Sequence, residues 1–546
     1  MSEDKDKDHI NDVFKYETNW SDLFENKRFI TELCSDVLEN YVVKQRWYGG
    51  KASAIKYIQI LNHFKIESEA DLFYGVIIEV NFKEAFVQEY FLPIGLVKEK
   101  DYVDYQIISR LDLNGERSYL VDAILLESFR AQIFNKIAEG DKYKYEIVEY
   151  RRGRKCKDNS YVSSRFLSGE QSNTSIVFND KYILKFFRRV YTDQNPDYEI
   201  SKFLTNNGYF NNTPGYSGSI TLKFSDKNTM TLALMQELVE NQGDAWEYFV
   251  KKIENSYTKL SKSRFKVKNL KVLSKYKQVT LNQIDPKLLE WFDKEIFEDI
   301  EMLALRTAEM HVALGMERIN TAFTPRTYNY DYTVWLKNRL MYMLDNRINL
   351  LENNLHKLDG IMLDMANFLL ENKKEVKARF LDFDESKLKS ERIRLHGDYH
   401  LGQVLVNNRD FFIIDFEGEP ESTIRDRKVK QPPLKDVAGM FRSFNYAIYA
   451  TIFNNLENYK RPLEELFHSA EVIYSYMVGI FLNTYIQKVQ NNNLNIGYIK
   501  EIEFLLEYCL LEKAIYELGY ELNARPRWSV IPLKGIYNIL KHNLNE

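Results

Sequence analysis

Cysteine is scarce in this chain: 546 residues hold only Cys34, Cys156 and Cys509, an odd number spread far apart. That excludes a disulfide framework and a cysteine-built zinc cluster, and it implies a reducing compartment. Long apolar runs are also lacking. The best stretch, Val472 to Leu482, is too short to cross a bilayer and is interrupted by Ser475, and the N-terminus is charged and polar through about Trp20, without a signal-peptide core. A cytoplasmic protein with no membrane partner is expected. Charge of one sign is missing as well: the net value of −4 gives no electrostatic case for nucleic acid. The single basic run, Arg151 to Lys157, reads as a solvated linker. Neither a GxGxxG nor a Walker A string is present.

What the chain does have is concentrated in Leu395 to Pro420, LHGDYHLGQVLVNNRDFFIIDFEGEP. Asp398 follows His-Gly, and Gln403 comes five positions later, the interval between catalytic Asp and metal-binding Asn in a kinase catalytic loop. Asp415 closes the apolar run Phe411 to Ile414 and precedes Phe416, Glu417 and Gly418, the position of a kinase DFG aspartate. Phosphoryl transfer depends on positioning and charge neutralisation, and oxygen ligands suit the hard Mg²⁺ ion. Asp398 would therefore orient an acceptor hydroxyl and take its proton, while Gln403 and Asp415 hold metal on the ATP phosphates. His396 and His400 are four apart, but Gly397 lies between them and no third ligand is near. They are expected to fix the loop by hydrogen bonds and not to bind zinc. His396 is also counted among the acceptor-binding residues.

A phosphate cradle is expected upstream, at Glu170 to Lys185. Ser172, Asn173, Thr174 and Ser175 form a hydroxyl-rich turn, followed by strand-like Ile176 to Phe178, the turn Asn179-Asp180, and a second strand-like run, Tyr182 to Phe187, that carries Lys185. Turn amides and hydroxyls can bind phosphate oxygens, and Lys185 can reach the α- and β-phosphates as a point charge. Asn195-Pro196-Asp197 starts a helix that places Glu199 to pair with Lys185. Thr231 to Met235 leads into Gln236, Glu237 and Leu238, where an interlobe linker would hydrogen-bond adenine.

Further along, helical periodicity dominates, in 286–315, 332–372, 464–490 and 498–522, whereas Leu72 to Phe82 and Ala85 to Leu92 read as strands. Strands first and helices later suit an α+β, kinase-like bilobal architecture. The expected divisions are a disordered 1–20, a cap at 21–135, a kinase-like N-lobe at 136–242, and a mostly helical C-lobe at 243–546. On the last helix Lys513, Tyr516 and Tyr520 share one face, Glu517 and Glu521 form a neighbouring stripe, and Arg525-Pro526 ends it. Such a face could bind a sugar through aromatic surface and charged groups, or pack its tyrosines on the lobe.

Together the strings Gln171-Ser-Asn-Thr-Ser175, Leu184-Lys-Phe-Phe-Arg188, HGDYHLGQVL, IIDFEGEP, Pro433 to Phe444 and Tyr516 to Pro526 resemble those of bacterial maltokinases, from about Arg46 to the C-terminus. HGDxHxxQ alone could belong to any kinase of the aminoglycoside phosphotransferase type. The cap string Arg46-Trp-Tyr-Gly-Gly-Lys51 and the terminal YELGYELNARP are narrower. Ala524 and Arg527 depart from the family's usual Asn-Arg-Pro-Asp-Trp ending. The resemblance implies an α+β, bilobal eukaryotic-protein-kinase-like fold with an additional N-terminal cap subdomain, and ATP-dependent phosphorylation of maltose at its anomeric hydroxyl with Mg²⁺. It makes Lys513, Tyr516, Tyr520, Glu521 and Arg525 part of the disaccharide pocket, and trehalose synthase a candidate partner. The rival readings are a glucosamine or other sugar kinase, favoured by an acidic pocket for an ammonium group; a catalytically dead kinase-like module; and an interaction protein with a tyrosine-rich surface.

Overall fold

The computed structural model describes residues 13–103, 106–140, 147–167, 172–224 and 228–543. The chain forms two compact units, one of residues 1–207 and 214–239, the other of residues 208–213 and 240–546. Among the described residues no helix is long and apolar enough to cross a membrane, and Cys34, Cys156 and Cys509 are all free thiols.

The first unit holds two sheets. One is built from β1 (Val13–Tyr16), β2 (Ile55–Glu67), β3 (Leu72–Phe82), β4 (Val87–Lys98), β5 (Ile107–Leu113) and β6 (Glu116–Asp122), in the order β1-β5-β6-β4-β3-β2. The other comprises β7 (Val148–Arg152), β8 (Ser164–Phe166), β9 (Asn173–Phe178), β10 (Tyr182–Phe187), β12 (Tyr216–Lys223) and β13 (Thr229–Glu237), ordered β7-β12-β13-β10-β9-β8. Between β10 and β12 the short β11 (Arg189–Val190) crosses to the first sheet and pairs with β4.

β3 shows why the cap cannot stand apart from the N-lobe. Its side chains alternate, so Tyr74, Val76, Ile78 and Val80 pack into a core with Leu38, Tyr41 and Tyr90, whereas Phe73 and Ile77 face a second core. That second core also takes Phe129, Phe134 and Ile137 from helix α1 (Glu127–Glu139) and Phe178, Leu184 and Leu234 from the other sheet. The expected cap, 21–135, and N-lobe, 136–242, thus share one interior, and α1 runs across the expected boundary.

The expectation of disorder through residue 20 is corrected for residues 13–20; residues 1–12 lie outside the described residues. β1 pairs in parallel with β5, Tyr16 is buried, and the Trp20 indole donates to the Leu72 carbonyl at 2.9 Å. These partners lie more than fifty residues away in sequence, which local polarity does not reveal.

The cap string acts in this unit through Trp47. The Arg188 guanidinium lies 5.1 Å from the Trp47 ring centroid, donates to Thr174 Oγ1 at 2.8 Å, and forms a buried ion pair with Asp122 at 2.6 Å. The Gly49 amide donates to the Tyr90 hydroxyl, and a side chain at Gly50 would strike the Phe82 ring and the Tyr48 hydroxyl.

The second unit is mostly helical: α3 (Ala245–Lys262), α4 (Lys294–Gly315), α5 (Tyr330–Asn354), α6 (Leu434–Asn454), α7 (Leu463–Asn491), α8 (Ile499–Ala524) and α9 (Val530–Asn543), with α2 (Pro196–Asn207) belonging to the first unit. Its hairpin, β14 (Val404–Asn407) and β15 (Asp410–Ile413), turns through Asn408 and Arg409, both left-handed at φ 49° and 67°. The helices expected over 464–490 and 498–522 match α7 and α8 closely. The expected 332–372 helix is broken, and 3-10 turns precede α4 where 286–293 was read as helix.

Because Asp122 and Arg188 are both buried, removing one partner strands a charge, so Asp122→Ala is expected to destabilise the chain by about 3–5 kcal/mol. Urea unfolding of the two proteins measures the difference.

Candidate active site

Gln403 and Asp415 are brought together within the second unit by the β14–β15 hairpin, and Asp398 lies in the loop that leads into it. Val404 pairs with Ile413 and the Ile414 amide donates to the Gln403 carbonyl, so the two strand ends stay in register. The Gln403 amide then donates to Asp415 Oδ2 at 2.9 Å. Asp415 itself has φ 66°, a left-handed backbone rare for aspartate, which the hairpin and loop impose. The pair presents an amide oxygen and a carboxylate side by side, a donor set that suits a hard divalent cation such as Mg²⁺.

The loop bearing Asp398 is held from beneath by α6. Asp436 accepts from the amides of His396 at 2.9 Å and Gly397 at 3.0 Å, and from the His311 ring at 3.1 Å, while His311 Nδ1 meets the Tyr485 hydroxyl at 2.8 Å. One turn on, a Cβ at Gly439 would lie 2.7 Å from the Tyr399 carbonyl oxygen, so only glycine lets the helix approach. After another turn, the Ser443 hydroxyl accepts from the Leu401 amide. Asp436, Gly439 and Ser443 thus form one helical face spent on the loop. Burial acts to raise the Asp436 pKa, but the His311 contact and the amides hold it below the usual carboxylate range. Gly397 and Gly418, at φ 88° and 76°, pass so closely that a Cβ on Gly397 would lie 3.1 Å from the Gly418 Cα.

Asp398 is itself charged. Burial pushes its pKa up, yet the Lys513 ammonium at 3.1 Å, with His400 at 4.0 Å, brings it below the ordinary value. Lys513 reaches in from α8 and also touches Glu419 at 3.3 Å. Behind it Arg339 bridges Glu419 and Glu512, and Lys435 holds Glu512 at 2.7 Å, around a cavity of only about 10 Å³. Burial opposes ionisation of Glu512, but Lys435 and Arg339 carry its pKa down to about 2. This cluster is packed, with room for one water, and serves to present Lys513. Glu419, Arg339, Lys435, Glu512 and Asp436 were not singled out as site residues from sequence, because ion pairs between helices leave no local pattern.

Of the other expected acceptor residues, Tyr516 lies beside Lys513, whose ammonium is 4.9 Å from its ring centroid. Tyr520, Glu521 and Arg525 gather instead at the end of α8: Arg525 forks onto Glu521 at 2.8 and 3.0 Å, and lies 5.5 Å from the Tyr520 ring centroid and 4.3 Å from that of Trp528. Seven residues of helix separate Tyr520 from Lys513, about 10 Å of rise. Glu521 is buried, with Tyr446 and Arg525 as partners, whereas Tyr520 is exposed. The acceptor role of His396 is corrected: it is buried, its Nδ1 faces the Asp398 amide, and its Nε2 donates to the Ile414 carbonyl, leaving neither nitrogen for a sugar.

In the first unit Lys185 Nζ lies 3.4 Å from Asp197, a carboxylate the sequence reading did not single out. Asn195 accepts from the Asp197 amide and opens α2 with Asp197 turned inward; Glu199 comes two residues later, about 200° around the helix. Ser201 donates to Asp197, and Gln236 donates to Ser201 at 2.8 Å, so Gln236 supports this pair from inside β13. Of the residues whose backbone is expected to hydrogen-bond adenine, Gln236 and Glu237 end β13 and Leu238 follows it. The Glu237 and Leu238 amides already donate to the carbonyls of Gly215 and Lys181. Asn173, Thr174 and Ser175 lie within β9, with Thr174 held by Arg188 and Ser175 buried, while Ser172 stays exposed at its mouth. Glu170 and Gln171, also part of the expected cradle, fall outside the described residues.

No family model matches the chain. A glucosamine kinase of Streptacidiphilus jiangxiensis is 23% identical over 154 residues, which is 28% of this chain and 33% of that protein. The chain therefore spans about one third of the length of this curated relative. Among solved structures, a glucosamine kinase in complex with glucosamine, ADP and inorganic phosphate superimposes with a TM-score of 0.60 at 14% identity, covering 96% of this chain and all of that one. Its crystal form B gives 0.58 at 14% identity, over 91% of this chain and 96% of that one. The fold is thus a bilobal kinase-like fold, α+β in class, as expected.

Glu512→Gln is expected to destabilise the chain by about 3 kcal/mol at neutral pH by leaving Arg339 and Lys435 undercompensated. A depressed folded pKa contributes stability above the unfolded value and loses it below, so the difference should shrink as pH falls from about 4.5 toward about 2. Urea titrations across that range measure it.

Proposed function

We propose that the chain is an ATP-dependent sugar kinase, that its acceptor is maltose, and that the product is maltose 1-phosphate. The observation that carries this reading is Asp398 held 3.1 Å from Lys513 of α8, which also touches Tyr516, in the loop that leads into the Gln403–Asp415 pair. The acceptor hydroxyl would donate a hydrogen bond to Asp398, which aligns its oxygen with the γ-phosphorus. As the new O–P bond forms and the bond to ADP breaks, the hydroxyl proton passes to Asp398. A carboxylate with a lowered pKa is a weak base, so its main work is orientation, with the proton moving late, as suits a loose phosphoryl-transfer transition state.

Gln403 and Asp415 would hold Mg²⁺, which neutralises phosphate charge when bound. Lys185, oriented by Asp197, would contact ATP phosphates, with Ser172 the exposed hydroxyl nearest in sequence to that role. The resemblance to maltokinases further implies trehalose synthase as the supplier of maltose.

Glucosamine is the second reading, supported by the kinases this chain resembles in fold. Its ammonium group would need a carboxylate, but Glu419 and Glu512 are already shared by Lys513, Arg339 and Lys435. This neutral balance favours an uncharged sugar. A sugar panel with ATP, read by ADP release and phosphorus NMR, should give fastest turnover with maltose; faster turnover of glucosamine would overturn the acceptor assignment and leave the kinase reading intact.

Asp398→Asn should lower kcat by roughly 10²- to 10⁴-fold while nucleotide affinity, measured by calorimetry, stays near that of the parent. Lys513→Met removes the cation that depresses the Asp398 pKa, so the acidic limb of the kcat/KM profile should move to higher pH. An unmoved limb would contradict the role given to Lys513.

A further inference from the structure

A cavity of about 320 Å³ lies in the second unit, bounded by residues 272–276 and by α6, α7, α8 and α9, and none of its lining residues belongs to the Asp398 cluster. We infer that it is a second, non-catalytic site for an uncharged, hydroxyl-rich ring compound, that is, a free sugar. Its volume falls within the range of small-molecule sites and exceeds ordinary packing voids.

Its walls combine apolar and aromatic surface: Val272, Leu273, Val478, Leu510 and Ile539, with the rings of Tyr276 and Tyr474. The C–H faces of a sugar ring pack on such surface. Its charges are already matched in pairs. Lys534 meets Glu471 at 2.9 Å, Arg442 meets Glu517 at 2.7 Å, and Lys275 pairs with Glu507. A charged ligand would have to break one of these pairs. A neutral hydroxyl can donate to a carboxylate and accept from the adjacent ammonium, leaving the pair intact.

Tyr276 is held in place beside the cavity. Its hydroxyl is buried without a hydrogen-bond partner, and burial pushes its pKa well above the ordinary value. Its backbone is left-handed, φ 57°, which a bulky aromatic residue keeps only where its surroundings impose it, and such strain gathers at binding sites. Asn538, exposed at the rim, marks the way in.

Saturation-transfer NMR on the full chain tests this with sucrose, glucose and maltotriose, and with glucose 6-phosphate as an anionic control. Sucrose has no free anomeric hydroxyl, so its binding is read independently of turnover. The expected result is saturable binding of at least one neutral sugar, weakened tenfold or more by Asn538→Trp, which plugs the mouth, with the KM of the phosphorylated sugar unchanged. No saturable neutral-sugar binding, binding that survives Asn538→Trp, or binding of glucose 6-phosphate alone would overturn the inference. Failure of ATP-dependent phosphorylation would leave it standing.

Discussion

The carboxylate of Asp436 is the constraint on which the catalytic loop depends. A buried charge is costly unless hydrogen bonds replace its water, and here two loop amides and an imidazole do so. The same contacts that stabilise Asp436 fix the peptide preceding Asp398. His311 is fixed in turn by Tyr485, so α4, α6 and α7 all meet at this point. Gly439 and Ser443 extend the grip along α6, and the loop has little freedom left except at its side chains.

Electrostatics then decides what those side chains can do. Asp398 sits at the edge of a cluster in which three cations and three carboxylates alternate, Lys513 being the link between the loop and α8. The cluster keeps Asp398 ionised and aims its oxygen without surplus charge of either sign. One helix, α8, thereby sets the charge state of a residue in a loop more than a hundred positions before it.

Much of this was legible because it is local. Gln403 and Asp415 flank one short hairpin, whose two strands and two-residue turn fix their meeting, and Asp398 lies in the loop just before it. The bilobal kinase-like class followed from strands giving way to helices along the chain. What was misread depended on helix phase or distant pairing. The Glu237 and Leu238 amides looked available because Gly215 and Lys181 are remote in sequence. The tyrosines of α8 share a face, but a straight helix carries Tyr520 away from Lys513 faster than a stripe suggests.

The run from β10 into β11 has a mechanical consequence. Lys185 and the residues that pair with β4 are separated by only a few peptides of extended chain, and extended backbone stretches very little. Any displacement of β4 is thus conveyed along the polypeptide to Lys185, as a taut cord conveys a pull, and cannot be absorbed by a hinge on the way. The cap is for this reason no detachable ornament: a protein trimmed to begin at residue 136 would lose the anchor of that cord along with half of a shared interior.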